Sequence, residues 1–307
     1  MHAVRGRDNE GAVVLEEAIQ LAGRAGDRAT AVTAHRQLGF VEVQAGRRRT
    51  GETWLARAAA LAETDAELAA ILGVRGMNAS DRGDYPTALA QLGESAERAA
   101  SAGDQRQQAW SLSVLARAHV LRGERSQATA ALDLSLALIH EQRWMAFLPW
   151  PQALHAELDL AAGHADAAAD TLERAWTLAL QVDDPCWEGM AARGLGRLHA
   201  ARGDRAGAAQ WMGEARRRCS AVPDRYQWVH GYVLDAAAAT AIEHGERERA
   251  EALVGSLSSL AARCDLGELV VRAHLHRHRL GDPNALGSAR LLAAGIENPA
   301  LAEMLSG

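Results

Sequence analysis

Small and hydrophobic residues recur at helical spacing along nearly the whole chain, and the pattern breaks at regular points on a glycine followed by polar residues. Gly83-Asp84-Tyr85, Gly123-Glu124-Arg125 and Gly203-Asp204-Arg205 are three such marks. The full series is Gly46, Gly83, Gly123, Gly163, Gly203, Gly245 and Gly281, so consecutive marks differ in residue number by 37, 40, 40, 40, 42 and 36. Physically, such a mark is a helix ending on a left-handed glycine, a short turn and a new helix. About seven helix hairpins of near-constant length are predicted.

Within each unit the side-chain sizes keep step with the turn. Gly39, Gly76, Ala116, Ala156, Gly196 and Ala238 stand seven residues before it, and Leu55, Leu92, Leu132, Leu172, Met212 and Val254 stand nine after it. Five after it come Ala88, Ala128, Ala168, Ala208 and Ala250. Small positions opposite large ones suit two helices that approach closely. Asp27, Asp65, Asp104, Asp184, Asp224 and Asp265 separate the units and are expected to cap the following helices. The stretch from Arg143 to Pro151 lacks such a mark and holds two prolines, which predicts an irregular connection with a helix starting near Pro151.

Gly76, Gly83-Asp84-Tyr85 and Ala88 resemble the small–turn–small core of the tetratricopeptide repeat, although the units run near 40 residues instead of 34 and lack the leading Trp. The chain is similar to the repeat region of MalT-like and LuxR-type actinobacterial regulators. That resemblance implies an all-α, right-handed superhelical solenoid of about seven tetratricopeptide-like hairpins over residues 27–282. Residues 1–26 read either as an N-terminal capping helix or as the remnant of a preceding repeat of a longer chain, and 283–307 as capping helices or a contact between two copies. The regulators carry an ATPase module and often a helix-turn-helix, and neither is legible here.

Composition narrows the chemistry. With 48% hydrophobic and 23% charged residues the chain buries a sizeable core. All 33 basic residues are Arg, which removes the Walker A loop and Schiff-base chemistry, both of which need Lys, and suggests a GC-rich source. A net charge of −6 argues against direct nucleic-acid binding. The absence of a long apolar run or signal-like start leads us to expect a cytoplasmic protein without membrane association. Cys186, Cys219 and Cys264 lack paired spacing and read as buried small hydrophobes.

The first helix of each pair lines the concave face of such a stack. Thirteen residues before the turn this helix carries Trp110, Trp150, Met190 and Tyr232 in consecutive units; ten before come Arg36, Ser113, Arg193 and Asp235, and six before come Phe40, Met77, Arg117, Glu157 and Arg197. These offsets share one helix face. One reading is a groove with an aromatic floor of Trp110, Trp150 and Tyr232 beside Met190, flanked by Arg117, Arg193, Arg197, Glu157 and Asp235, for a protein or peptide partner or a small acidic or aromatic effector. In the other, the tryptophans pack between helix pairs and the arginines pair with Glu157 and Asp235. The His119, Asp159, His199 row is spaced too widely for one ion, and His274 with His278 lacks a third ligand, so no metal or cofactor is expected. Catalytic signatures are absent, and a non-catalytic regulatory binding module is the leading expectation. An enzyme on a helical-repeat scaffold, with the histidine row or the Trp144–Pro151 segment forming a pocket, or a sensor region of an ATPase-type transcription regulator, is the alternative.

Overall fold

The computed structural model describes residues 8–222 and 225–306. Every regular element among them is a helix. A first helix, α1 (Asp8–Ala25), precedes seven antiparallel pairs: α2 (Arg28–Gln44) with α3 (Arg48–Leu61), α4 (Asp65–Arg82) with α5 (Tyr85–Ser101), and α6 (Gln105–Leu121) with α7 (Arg125–Glu141). Then come α8 (Pro149–Ala161) with α9 (Ala165–Val182), α10 (Pro185–Ala201) with α11 (Arg205–Ser220), and α12 (Gln227–Glu243) with α13 (Arg247–Arg263). The seventh pair is α14 (Gly267–Arg279) with α15 (Ala285–Ala293), followed by α16 (Pro299–Ser306). The fold is a helical solenoid.

All seven turn glycines have positive φ, from +74° at Gly245 to +97° at Gly281. The size alternation is equally literal. A Cβ added at Gly76 would stand 2.6 Å from Leu92 Cγ, and one at Gly39 would stand 2.6 Å from Leu55 Cγ. The small residue admits the large one from the returning helix.

The caps follow the expectation in part. Asp27, Asp104 and Asp184 accept N–H groups from Thr30, Gln107, and Cys186 with Trp187. Asp65 does not cap: Thr64 does, in a reciprocal box with Glu67, which leaves Asp65 in the first turn. Asp265 adopts φ +51° and turns its carboxylate to Arg82, and the N-cap of α14 is Leu266, without a side-chain bond. Asp224 lies outside the described residues. Helix α8 begins at Pro149, two residues before the expected start, because a proline at the first helical position gives up an N–H that no helix bond needs. Residues 283–293 supply the second helix of the seventh pair.

The superhelix closes on itself. Arg48 Nε donates to the Cys264 carbonyl at 2.9 Å, and Arg82 meets Asp265 at 2.9 Å, joining the first two pairs to the turn between α13 and α14. Gly46 makes this approach possible, since a Cβ there would lie 2.5 Å from Cys264 Sγ. The segment after α15 folds back over the same junction. Asn298 Nδ2 donates to the Leu121 carbonyl at 3.1 Å and to Glu268 at 2.8 Å, and Arg122 donates to the Glu297 carbonyl. The C-terminal ends of α4 and α6 are thereby covered, while the N-terminal halves of α6 and α10 face the opposite mouth.

Candidate functional site

Winding the solenoid shut turns most of its concave face inward, and the charges there satisfy one another. Asp81 is fully buried and receives Arg48 at 2.8 Å, Arg117 at 2.7 Å and the Tyr226 hydroxyl at 3.1 Å. Arg117 also donates to Tyr226 and lies 4.3 Å from the Trp228 ring centre. Farther along, Glu157 takes Arg193 and the Tyr232 hydroxyl, the latter at 2.9 Å, while the Arg193 guanidinium stacks 3.6 Å from the Tyr232 ring centre. A third cluster joins Asp235 to Arg272 at 3.1 Å and to His276 at 2.8 Å, with Glu268 bonded to Arg272 and Tyr85. Burial opposes the charge on Asp235, but Arg272 and His276 outweigh it and hold the carboxyl below its ordinary value.

Of the residues predicted for a groove, Arg117, Arg193, Glu157, Asp235, Trp150, Met190 and Tyr232 are all buried in this interior. Arg197 is exposed, 3.5 Å from Glu157, and Trp110 is half-buried. Arg193 and Arg197 pair with Glu157, whereas Arg117 pairs with Asp81 and Asp235 with Arg272.

A cleft of about 700 Å³ remains at the mouth framed by the N-terminal halves of α6 and α10, within the size range of small-ligand sites. One wall is α2, with Arg36, Gln37 and Phe40; α6 adds Gln107 and Trp110, and the connection before α8 adds Trp144 and Phe147. Trp150, Trp187 and Tyr226 complete the aromatic lining. The rings brace one another: Phe40 meets Trp110 edge-on at 6.1 Å, Trp144 stacks on Phe147 at 4.6 Å, and Trp150 contacts Trp187 at 5.0 Å. The irregular Arg143–Pro151 stretch is therefore a wall of this cleft. Another hollow, of about 530 Å³, lies on the outer helices beside the Trp176–Trp211 pair, but it is bounded only by α9 and α11 and lacks facing walls.

Three arginines and three aspartates line the cleft. Arg225 pairs with Asp184 at 3.4 Å, and Arg106 lies 5.8 Å from the Trp144 ring centre. Asp104 accepts the Gln107 N–H at 3.0 Å. Burial raises the Asp184 carboxyl above its ordinary value, with Arg225 and two backbone N–H groups pulling the other way. Arg36, half-buried on α2, makes no hydrogen bond, ion pair or ring contact among the described residues.

The histidine row bonds locally. His119 pairs with Glu124 at 2.6 Å, His199 with Asp204 at 2.8 Å, and Asp159 with His155 at 3.2 Å. No group of three or more His, Cys, Asp or Glu among the described residues is placed to hold a metal ion. The three cysteines are buried and unbridged. None of the described helices is long and apolar enough to cross a membrane.

The fold is similar to that of a Rap protein solved in complex with Competence and Sporulation Factor, with a TM-score of 0.69 at 16% identity over 96% of this chain and 89% of that one. It is also similar to a signal-transduction ATPase with numerous domains from Pyrococcus horikoshii that carries a tetratricopeptide repeat sensor, with a TM-score of 0.53 at 13% identity over 92% of this chain and 45% of that one. At such identities the likeness establishes a tetratricopeptide-like fold. No family model and no curated protein matches the sequence.

Proposed function

We propose that the chain is a non-catalytic regulatory module that binds a short peptide in the aromatic cleft between α2, α6, the connection before α8 and the start of α10. One observation carries the reading: the closed solenoid satisfies nearly all of its inner-face charge internally, yet leaves a ring-lined cleft open at one mouth. Facing aromatic walls offer large, stiff contact area to apolar side chains at low entropic cost. The glutamines Gln37, Gln44 and Gln107 offer hydrogen bonds to a peptide backbone.

A regulatory role is supported by Tyr226. It lines the cleft while its hydroxyl bonds to Asp81 and Arg117, which tie the second and third pairs together. A ligand that shifts Tyr226 changes the contacts that hold the superhelix closed. The likeness to a Rap protein bound to Competence and Sporulation Factor, and to the repeat sensor of a signal-transduction ATPase, supports the same reading. In its narrower form the chain is the sensor region of a MalT-like regulator.

The test is native mass spectrometry of the chain with a pool of synthetic pentapeptides, beside the Trp110→Ala/Trp144→Ala double variant. Retention of a peptide subset that the variant loses, with helicity unchanged, is the expected result. Equal retention by the variant removes the cleft from consideration.

A further inference from the structure

Among the described residues the interior guanidinium groups are paired, and of the three that line the cleft Arg225 is paired, the exposed Arg106 has only the Trp144 ring, and the half-buried Arg36 has no partner. Arg48 and Arg117 share Asp81, Arg193 holds Glu157, Arg272 bridges Asp235 and Glu268, and Arg225 meets Asp184. Arg36 has none of these. Burial lowers its pKa, and the field of Asp104 only partly offsets that. A half-buried guanidinium without an acceptor has shed part of its hydration, and an incoming anion would make up for it.

Its surroundings select the kind of anion. Phe40 lies one helical turn beyond Arg36 on the same face of α2 and meets Trp110 edge-on, so an anion at Arg36 is next to an aromatic wall. The cleft is neutral overall, with three arginines against three aspartates. Arg225 and Asp184 are engaged with each other, and Asp104 is held by the α6 N-terminus near Arg36. In a cleft without net positive charge, a singly charged anion at Arg36 meets less repulsion from the Asp104 carboxylate than a doubly charged phosphate does.

We infer that the cleft selects a ligand with one carboxylate, received by Arg36, and an apolar or aromatic group beside it against Phe40 and Trp110. Planar two-pronged donation from guanidinium to carboxylate is the geometry Arg provides and Lys does not. The inference rests on the reading of the cleft as a recognition site and names the ligand chemistry for it.

The test uses 3-(2-naphthyl)propionate, its primary amide and 2-(2-naphthyl)ethyl phosphate as probes, titrated by calorimetry into the wild-type chain and into Arg36→Gln, Arg36→Lys and Trp110→Ala. The carboxylate should bind the wild type on the order of tenfold more tightly than the amide or the phosphate. Arg36→Gln should bring carboxylate and amide level, Arg36→Lys should keep part of the difference, and Trp110→Ala should weaken both probes alike. Because Arg36 has no internal partner, Arg36→Gln is expected to fold, and Arg36→Lys gives the same reading if it does not. Equal binding of carboxylate and amide by the wild type, tightest binding of the phosphate, or a preference that survives Arg36→Gln overturns the inference while leaving the cleft as a recognition site. If no probe binds, or Trp110→Ala changes nothing, the recognition reading itself fails and takes the inference with it.

Discussion

Arg117 and Asp81 meet at 2.7 Å with both side chains sealed from solvent, although they stand on helices of different repeats. Asp81 is also the acceptor for Arg48, so a single carboxylate separates two guanidinium groups in the interior. Removing the acid is therefore worse than removing either base. Asp81→Asn should cost about 3–5 kcal/mol, because it leaves two buried cations facing each other, and Arg117→Met should cost less. Urea midpoints for the two variants check this. A smaller loss for Asp81→Asn than for Arg117→Met contradicts the assignment of Asp81 as the central acid.

The hairpin interface gives a paired expectation. Gly76→Ala places a methyl 2.6 Å from Leu92 Cγ and should lower stability by about 1–3 kcal/mol. Gly93→Ala, within α5 and facing open space, should raise it by about 0.5–1 kcal/mol through helix propensity. Thermal unfolding of both variants against the wild type tests the register, and shifts of the same sign would count against it.

These local features were legible because their partners are close in sequence. Gly76 and Leu92 lie on either side of one turn, and a left-handed glycine is dictated by its own backbone. The closure was not legible. Arg48 reaches Cys264 across 216 positions, and only the accumulated rotation of successive pairs decides which units meet. For the same reason the aligned offsets gathered Arg117, Arg193, Glu157 and Asp235 onto one face but could not say that the face is wound inward. The cleft was half legible. Trp110, Phe40 and Arg36 lie on the offsets, whereas Trp144, Phe147 and Trp187 lie in a connection and a first turn, outside the repeating register. The irregular Trp144–Pro151 stretch was the signal for Trp144 and Phe147, and nothing in the repeating register marked Trp187. Trp150, only 2% exposed, is part of the packed frame, so Trp150→Ala should cost about 3–5 kcal/mol and is a poor probe of binding.

Closure of the ring also depends on Gly267. A Cβ there would run into the Arg82 carbonyl oxygen, a backbone atom that cannot move aside on its own. Gly267→Ala should loosen the contact between α4 and α14 and raise amide exchange at residues 82–85 and 265–268, while exchange in the α10–α11 hairpin is unchanged. Unaltered exchange at both junction segments would show that the contact does not hold the ring.

Alkaline pH should weaken the fold. Burial raises the Cys219 thiol from 9.0 to about 12 and the Tyr232 phenol from 10.0 to about 12, in the second case against the pull of Arg193. The unfolded chain releases these protons first, so this contribution is complete below pH 9 and declines as pH rises towards 12. The urea midpoint should fall between about pH 9 and about pH 11, and less steeply for Cys219→Ala. A midpoint independent of pH over that range would contradict it.

The most direct measurement is a hydrogen-exchange footprint of the chain with a peptide retained from the pentapeptide pool. Protection confined to residues 36–44, 104–114, 144–150, 182–187 and 225–226 is the result expected if the concave face is wound shut and the cleft is what stays open to a ligand. Protection centred instead on residues 190–197 and 232–235, with the cleft segments unchanged, would mean that the inner charge clusters open to receive the ligand, and the account would be wrong.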